Sequence, residues 1–333
     1  MARLTQLATL WRIVREVDLE AIRRHAETPT RVLVVGETAA DADDLAALLI
    51  GPHPEAAGWI TAVDAGLAAR DAAAAPASAV VDGPDLVILV SRGNEDSAAM
   101  KAARRTWLDR RIRLVQVALH AGAQQGTTQA QGQTVSLALD GLAEDGIDHL
   151  ARALFAVVEP DRRLSLARQF PPLRACAFTA LIEETARANA GYSFSTGLAE
   201  VVPVLGVPLT IGDILVLTKN QLMMSYRIAL AAGKPGKASE LVGEIIGVLG
   251  GGLLFRQIAR QLAGMLPVIG IVPKVAVAYG GTWAIGRAVT IWATEGRKLT
   301  RERLKQLSRE GLTRGRQVAN SLQRADRKKN YWI

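Results

Sequence analysis

Five short apolar segments alternate with helix-like stretches between residues 31 and 159, which confines this half of the chain to a parallel sheet with crossover helices. The predicted strands are 31–35, 59–63, 86–91, 114–119 and 135–139, and the predicted helices are 43–50, 97–110 and 146–158. Residues 66–78 are rich in alanine and read as a short helix or a loop. The Gly/Gln/Thr-rich stretch 122–133 has no apolar period and reads as a surface loop.

The first strand ends at Gly36, where a fold of this kind often places a phosphate-binding loop. Laying the pattern GxxxxGK[ST] on Gly36 puts Asp41 at the second glycine, Ala42 at the lysine and Asp43 at the hydroxyl residue. Such a loop works because backbone N–H groups and the positive end of a helix face an anion while a lysine adds charge. Here Asp41, Asp43 and Asp44 crowd the predicted helix start, so the helix is expected to be capped by its own carboxylates and to repel a triphosphate. The plain alternative is an ordinary strand-turn-helix with an acidic cap and no history of nucleotide binding.

At 333 residues the chain has length for two domains, each with its own core. A single cysteine, Cys176, allows no internal disulfide and fits a reducing compartment. Residues 1–30 carry both charge signs and a helical apolar spacing (Leu4, Leu7, Leu10, Trp11, Val14, Val17), expected of an amphipathic helix rather than a signal peptide. Catalytic constellations are thin. His25, His53, His120 and His149 share no metal-ligand spacing, no nucleophile elbow occurs, and neither a metal nor a cofactor is expected. Asp213, in an apolar run, reads first as a helix cap.

Charge is uneven. Residues 296–333 hold twelve basic and three acidic side chains, a net +9 within a chain of +8, so the remainder is near neutral. Anionic membrane lipid, nucleic acid and plain solvent are the three candidate surroundings for such a segment. Just before it, Pro203-Val204-Leu205-Gly206 and Pro267-Val268-Ile269-Gly270 lie between helical apolar stretches, suggesting a duplicated hairpin with apolar turns. Turns in water are normally polar, so these four-residue turns are expected to be buried, in a protein core or in one leaflet. The longest uncharged runs, 201–212, 245–255, 261–273 and 275–286, are shorter than the roughly 20 residues a spanning helix needs. Basic residues directly after an apolar hairpin gain from anionic headgroups, which favours Arg297, Lys298, Arg301, Arg303 and Lys305 as lipid-headgroup contacts at a cytoplasmic face. Nucleic acid is the weakest target, since no recognised binding motif occurs and aromatic residues are 5% of the chain.

The order of elements resembles the small GTPase fold of the Era-like class. Leu86-Val-Ile-Leu-Val90 is similar to its central strand after the second switch, and Leu114 to Leu119 to the strand that ends in the guanine-reading motif. That motif's Asn, Lys and Asp are absent, since the chain reads Leu119-His-Ala-Gly122. The magnesium-binding Asp-x-x-Gly is also broken at Asp64-Ala-Gly66 and Asp82-Gly-Pro-Asp85. Farther on, Pro203–Pro208, Gly212-Asp213-Ile-Leu and Gln221–Tyr226, then Leu266–Ile271 and Gly280–Ala288, look like the two blocks of the YcjF-like family, domain of unknown function 697. That resemblance implies an α/β plus all-α chain: an amphipathic helix (1–30), a degenerate P-loop GTPase-like parallel-sheet domain (31–160), a helical membrane-associating domain (171–295) and a basic helix or tail (296–333). It implies a location at the cytoplasmic face of a bacterial inner membrane, with the cytoplasm as the alternative; Ala42, Asp43 and His120, standing where Lys, Ser/Thr and a guanine reader would be needed, add the expectation of a scaffold or binding protein rather than a nucleotide hydrolase, with an unknown protein partner or a second copy as open companions. A divergent NTPase completed by a partner and a pore-forming or membrane-remodelling element are the alternatives.

Overall fold

The computed structural model describes residues 18–74, 83–92, 96–120, 128–131, 134–142, 146–201, 211–248, 271–297 and 299–330. The chain divides into two compact units, Arg23–Ala177 and Phe178–Ile333, with Met1–Ile22 grouped with the second. Of the expected N-terminal helix, the described part is α1 (Leu19–Glu27), which opens on Asp18, whose carboxylate accepts from the Ala21 N–H at 2.8 Å.

The first unit is built on a sheet of six strands: β1 (Val32–Gly36), β2 (Ile60–Asp64), β3 (Leu86–Arg92), β4 (Arg113–Leu119), β5 (Thr128–Gln131) and β6 (Thr134–Leu139). Their order is β2-β1-β3-β4-β6-β5; all neighbours run parallel except β5, which is antiparallel to β6. Every residue from Leu86 to Ser91 is buried, as a strand covered on both faces requires. Helices α2 (Ala39–Ile50), α3 (Ala65–Ala74), α4 (Ala98–Asp109) and α5 (Ile147–Val157) supply that cover, with Met100, Ala103 and Trp107 of α4 packed on Val35, Val87 and Leu89.

Of the stretch 66–78, read as helix or loop, residues 66–74 belong to helix α3, whose first turn is fixed by the Asp64 carboxylate accepting from the Leu67 N–H at 2.9 Å, and residues 75–78 lie outside the described residues. Two expectations need correction. The stretch 122–133 is not loop throughout: Thr128–Gln131 pairs in register with Thr134–Leu137. A polar edge strand takes its hydrogen bonds from one neighbour and needs no apolar face, so it left no hydrophobic period to read. Helix α2 starts at Ala39 rather than residue 43, because Thr38 is its N-cap and Asp41 completes a capping box. Beyond the expected end at 160, α6 (Pro160–Gln169) still belongs to this unit. It satisfies buried Thr30: the Thr30 N–H donates to Gln169 Oε1 at 2.8 Å, and the hydroxyls of Thr30 and Ser165 lie 2.7 Å apart.

In the second unit, α7 (Arg174–Val201) runs in from the first unit's range, followed by α8 (Ile211–Ala231), α9 (Ala238–Val248), α10 (Ile271–Glu295) and α11 (Arg301–Asn330). Its interior holds a closed polar hub. Thr282 Oγ1 accepts from Asn189 Nδ2 at 2.9 Å and Gln221 Nε2 at 3.0 Å and donates to the Ala278 carbonyl at 2.7 Å. Asn189 Oδ1 in turn accepts from Asn220 Nδ2 at 2.8 Å, so these groups tie α7, α8 and α10 in one register without a stranded amide. Among the described residues, no helix is long and apolar enough to cross a membrane.

Candidate functional site

In a doubly wound sheet, ligands bind outside the carboxyl ends of the strands where the strand order reverses, here between β1 and β3. Gly36 ends β1 and faces Val90 of β3, and the Glu37 N–H donates to the Val90 carbonyl at 3.0 Å. Glu37 and Thr38 alone connect β1 to α2. That length suits a plain βα turn and leaves no long loop to wrap around a phosphate. The turn is tight. A Cβ on Gly36 would stand 2.3 Å from the Thr38 carbonyl oxygen and 2.5 Å from the Ala42 nitrogen, so only glycine fits.

The helix entrance is filled by the chain's own groups. Asp41 Oδ2 accepts from Thr38 Oγ1 at 2.8 Å and from the Thr38 N–H at 3.3 Å, while Oδ1 accepts from Nε of Arg92, the last residue of β3. Arg92 Nη2 also reaches the Asp44 carboxylate at 3.6 Å. Burial pushes the Asp41 carboxyl up, but the hydrogen bonds from Arg92 and Thr38 and the Arg92 charge outweigh it and hold the group below its ordinary value. Beside it, Glu37 Oε1 accepts from the N–H of Ser97, the N-cap of α4, at 3.0 Å, and Asp96 accepts from Gln116 Nε2 at 2.9 Å. Carboxylates therefore occupy the Thr38 and Ser97 N–H groups and the Arg92 guanidinium, and the Thr38 hydroxyl occupies the Asp41 N–H at 3.3 Å.

The sequence-derived site residues fall as follows. Gly36 and Asp41 lie at this strand end; Ala42, read as standing for the lysine, lies on the inner face of α2 and is fully buried. Asp43 is exposed one turn into the helix and caps nothing, contrary to expectation, because Thr38 already does so. Of the candidate magnesium-binding carboxylates, Asp64 caps α3 and Asp85 sits at the amino ends of the strands, accepting from the Arg31 N–H at 2.9 Å, while Asp82 lies outside the described residues. Sequence reading missed Arg92, whose only signal was its place directly after the predicted strand 86–91. Among the described residues, no group of His, Cys, Asp or Glu side chains is arranged to hold a metal ion.

Pro203, Val204, Leu205, Gly206, Pro267, Val268, Ile269, Gly270 and Lys298 lie outside the described residues, and so does the side chain of Asp213. Residues 301–330 of the basic segment form helix α11, which docks on α10 through its 307–319 stretch. Leu307, Gly311, Gly315 and Ala319 form its buried stripe. A Cβ on Gly311 would meet the Gly280 carbonyl oxygen at 2.3 Å, and one on Gly315 the Ala276 carbonyl oxygen at 2.2 Å, so the two backbones touch through glycine. Arg314 crosses back over the Trp283 ring at 4.9 Å. Arg301, Arg303, Lys305, Arg309, Arg316 and Arg324 remain exposed, and Arg297 pairs with Glu295. No family model matches the chain, and neither a curated protein nor a solved structure does.

Proposed function

We propose that this chain is a docking or scaffold protein of the cytoplasmic face of a bacterial membrane. Its α/β unit has the character of a degenerate GTPase domain that turns over no nucleotide, and its helical unit, resembling the YcjF-like family, presents basic helix α11 to anionic lipid. The observation that carries the reading is the docking of α11. A stripe of small residues holds the helix to α10 by backbone contact, so its exposed cations stand on a fixed support. Each cation near an anionic surface contributes about 1 kcal/mol, and the effect fades within a Debye length.

Flotation of the full-length protein with vesicles tests this. Binding to vesicles containing phosphatidylserine, absent with neutral vesicles, weakened by salt and abolished by combined Arg303→Glu, Lys305→Glu and Arg309→Glu, is the expected outcome. Equal binding to neutral vesicles, or binding unchanged by the triple substitution, would remove the electrostatic reading.

A further inference from the structure

The two edges of the sheet are finished differently. At one, β5 is four residues long and polar apart from Ala130. At the other, β2 has β1 as its one neighbour strand among the described residues, and Ile60–Asp64 carries no lysine, proline or bulge to blunt it. Its one charged residue, Asp64, uses its carboxylate to cap α3. Among the described residues three large apolar side chains are exposed, and two of them bracket this strand: Trp59, 40% exposed, directly before it, and Leu67, 39% exposed, three residues past its end. The hydrogen-bond pattern fixes which backbone groups of β2 are open. Arg31 and Glu37 bond to β3, so strand alternation turns the even residues of β1 toward β2, and the register Val34↔Ala62 then turns Thr61 and Val63 toward β1. Ile60, Ala62 and Asp64 point their N–H and C=O groups away from the sheet. The Ile60 N–H is taken by the Ala57 carbonyl, and the others face no neighbouring strand among the described residues.

That set of open groups matches itself about a two-fold axis. With two β2 strands antiparallel and Ala62 opposite Ala62, the two alanines exchange both of their hydrogen bonds, and each Asp64 N–H meets the Ile60 carbonyl of the other copy. Only the bond from the occupied Ile60 N–H is forgone. The same operation sets the segment before one strand beside the segment after the other. Trp59 of each copy comes level with Ala65 at the start of the helix that carries Leu67, so the exposed apolar groups cover one another. Charge agrees with this pairing. Exposed Glu55 ahead of the strand and exposed Arg70 behind it are brought to the same end, and Asp64 falls opposite Ile60. A parallel in-register pair would instead set Asp64 beside Asp64. We propose that the β2 edge is the interface of a two-fold dimer of this chain, joining two sheets into one. The groups involved all belong to the α/β unit, so the interface is independent of the lipid reading.

Sedimentation velocity of the full-length protein over a concentration series reads the mass, and hydrogen exchange at low and high concentration reads the edge. A contact built on one short strand is reversible, so a monomer that becomes a dimer as concentration rises is expected, with the Ala62 and Asp64 amides slowed only in the dimer. Ala62→Pro removes an N–H that the β1 ladder does not use, a change tolerated on an edge strand, and Trp59→Lys removes the apolar cover. Each should weaken the dimer by at least about tenfold, with circular dichroism showing a folded chain. Should Ala62→Pro fail to fold, Trp59→Lys and the exchange rates decide. A dimer that neither substitution weakens places the contact elsewhere and overturns the proposal. Growth into open chains that the same substitutions abolish overturns the two-fold, which closes on itself. A monomer at every concentration overturns it as well: freely exchanging Ala62 and Asp64 amides would leave the edge to a partner of other sequence, and amides already slow in the monomer would mean that a segment of this chain covers it.

Discussion

Asp41 is only 3% exposed, yet its carboxyl is held below the ordinary value because Arg92 and Thr38 answer both of its oxygens. A carboxyl depressed in the folded state stabilises fully above its unfolded value, near pH 4, and that contribution is lost as pH falls through the folded value. The α/β unit should therefore lose stability on acidification below about pH 4 partly through this one group. Asp41→Asn should cost about 1–3 kcal/mol at neutral pH, the cost of weakening a buried hydrogen-bonded charge, and should flatten the acid limb. Urea midpoints measured at neutral and acid pH check both; an acid limb as steep as the parent's would refute the assignment. Arg92 is largely exposed, so solvent screens its half of the pair and Arg92→Ala should cost less than Asp41→Ala. Tyr279 shows the opposite direction: burial, then the hydrogen bond to Glu183 and its charge, push the phenol up to about 12, which keeps it a donor across the physiological range.

Helix α11 depends on contacts no side chain can replace. Gly311→Ala must push the Gly280 backbone away, and overpacking of this kind costs about 1–3 kcal/mol. Its unfolding midpoint in urea should fall accordingly, whereas Thr313→Ala on the exposed face should leave it unchanged. Equal stability of the glycine and alanine variants would mean that the helices do not touch as described. The docking was legible in part: Leu307, Gly311, Gly315 and Ala319 recur every four residues, a spacing that reads as one helix face. The twelve basic residues drew attention to charge and away from that stripe. In the α/β unit, Thr38 and Asp41 already spelled a cap three residues apart, but laying a phosphate-loop pattern on Gly36 moved the expected helix start to residue 43. Strand β5 left no apolar alternation to announce it.

Across the whole chain, the alternation of apolar strands and helices made the parallel sheet legible, and the fall in alternation after residue 171 made the helical unit legible. Strand order was not, because crossovers leave no mark on the residues that make them; with it went Arg92, which reaches Asp41 from 51 residues away. The absence of a lysine and a hydroxyl at the pattern positions after Gly36 was readable one residue at a time. The filling of their place by an internal ion pair was not, since it needs β1 and β3 side by side. The β1–β3 strand end carries internally bonded carboxylates and a two-residue turn, an arrangement expected to hold no nucleoside triphosphate. Equilibrium titration of the full-length protein with fluorescent GTP and ATP in the presence of magnesium tests it most directly. No saturable binding up to millimolar nucleotide is the predicted result; micromolar binding that disappears on Gly36→Val in a folded protein would contradict it.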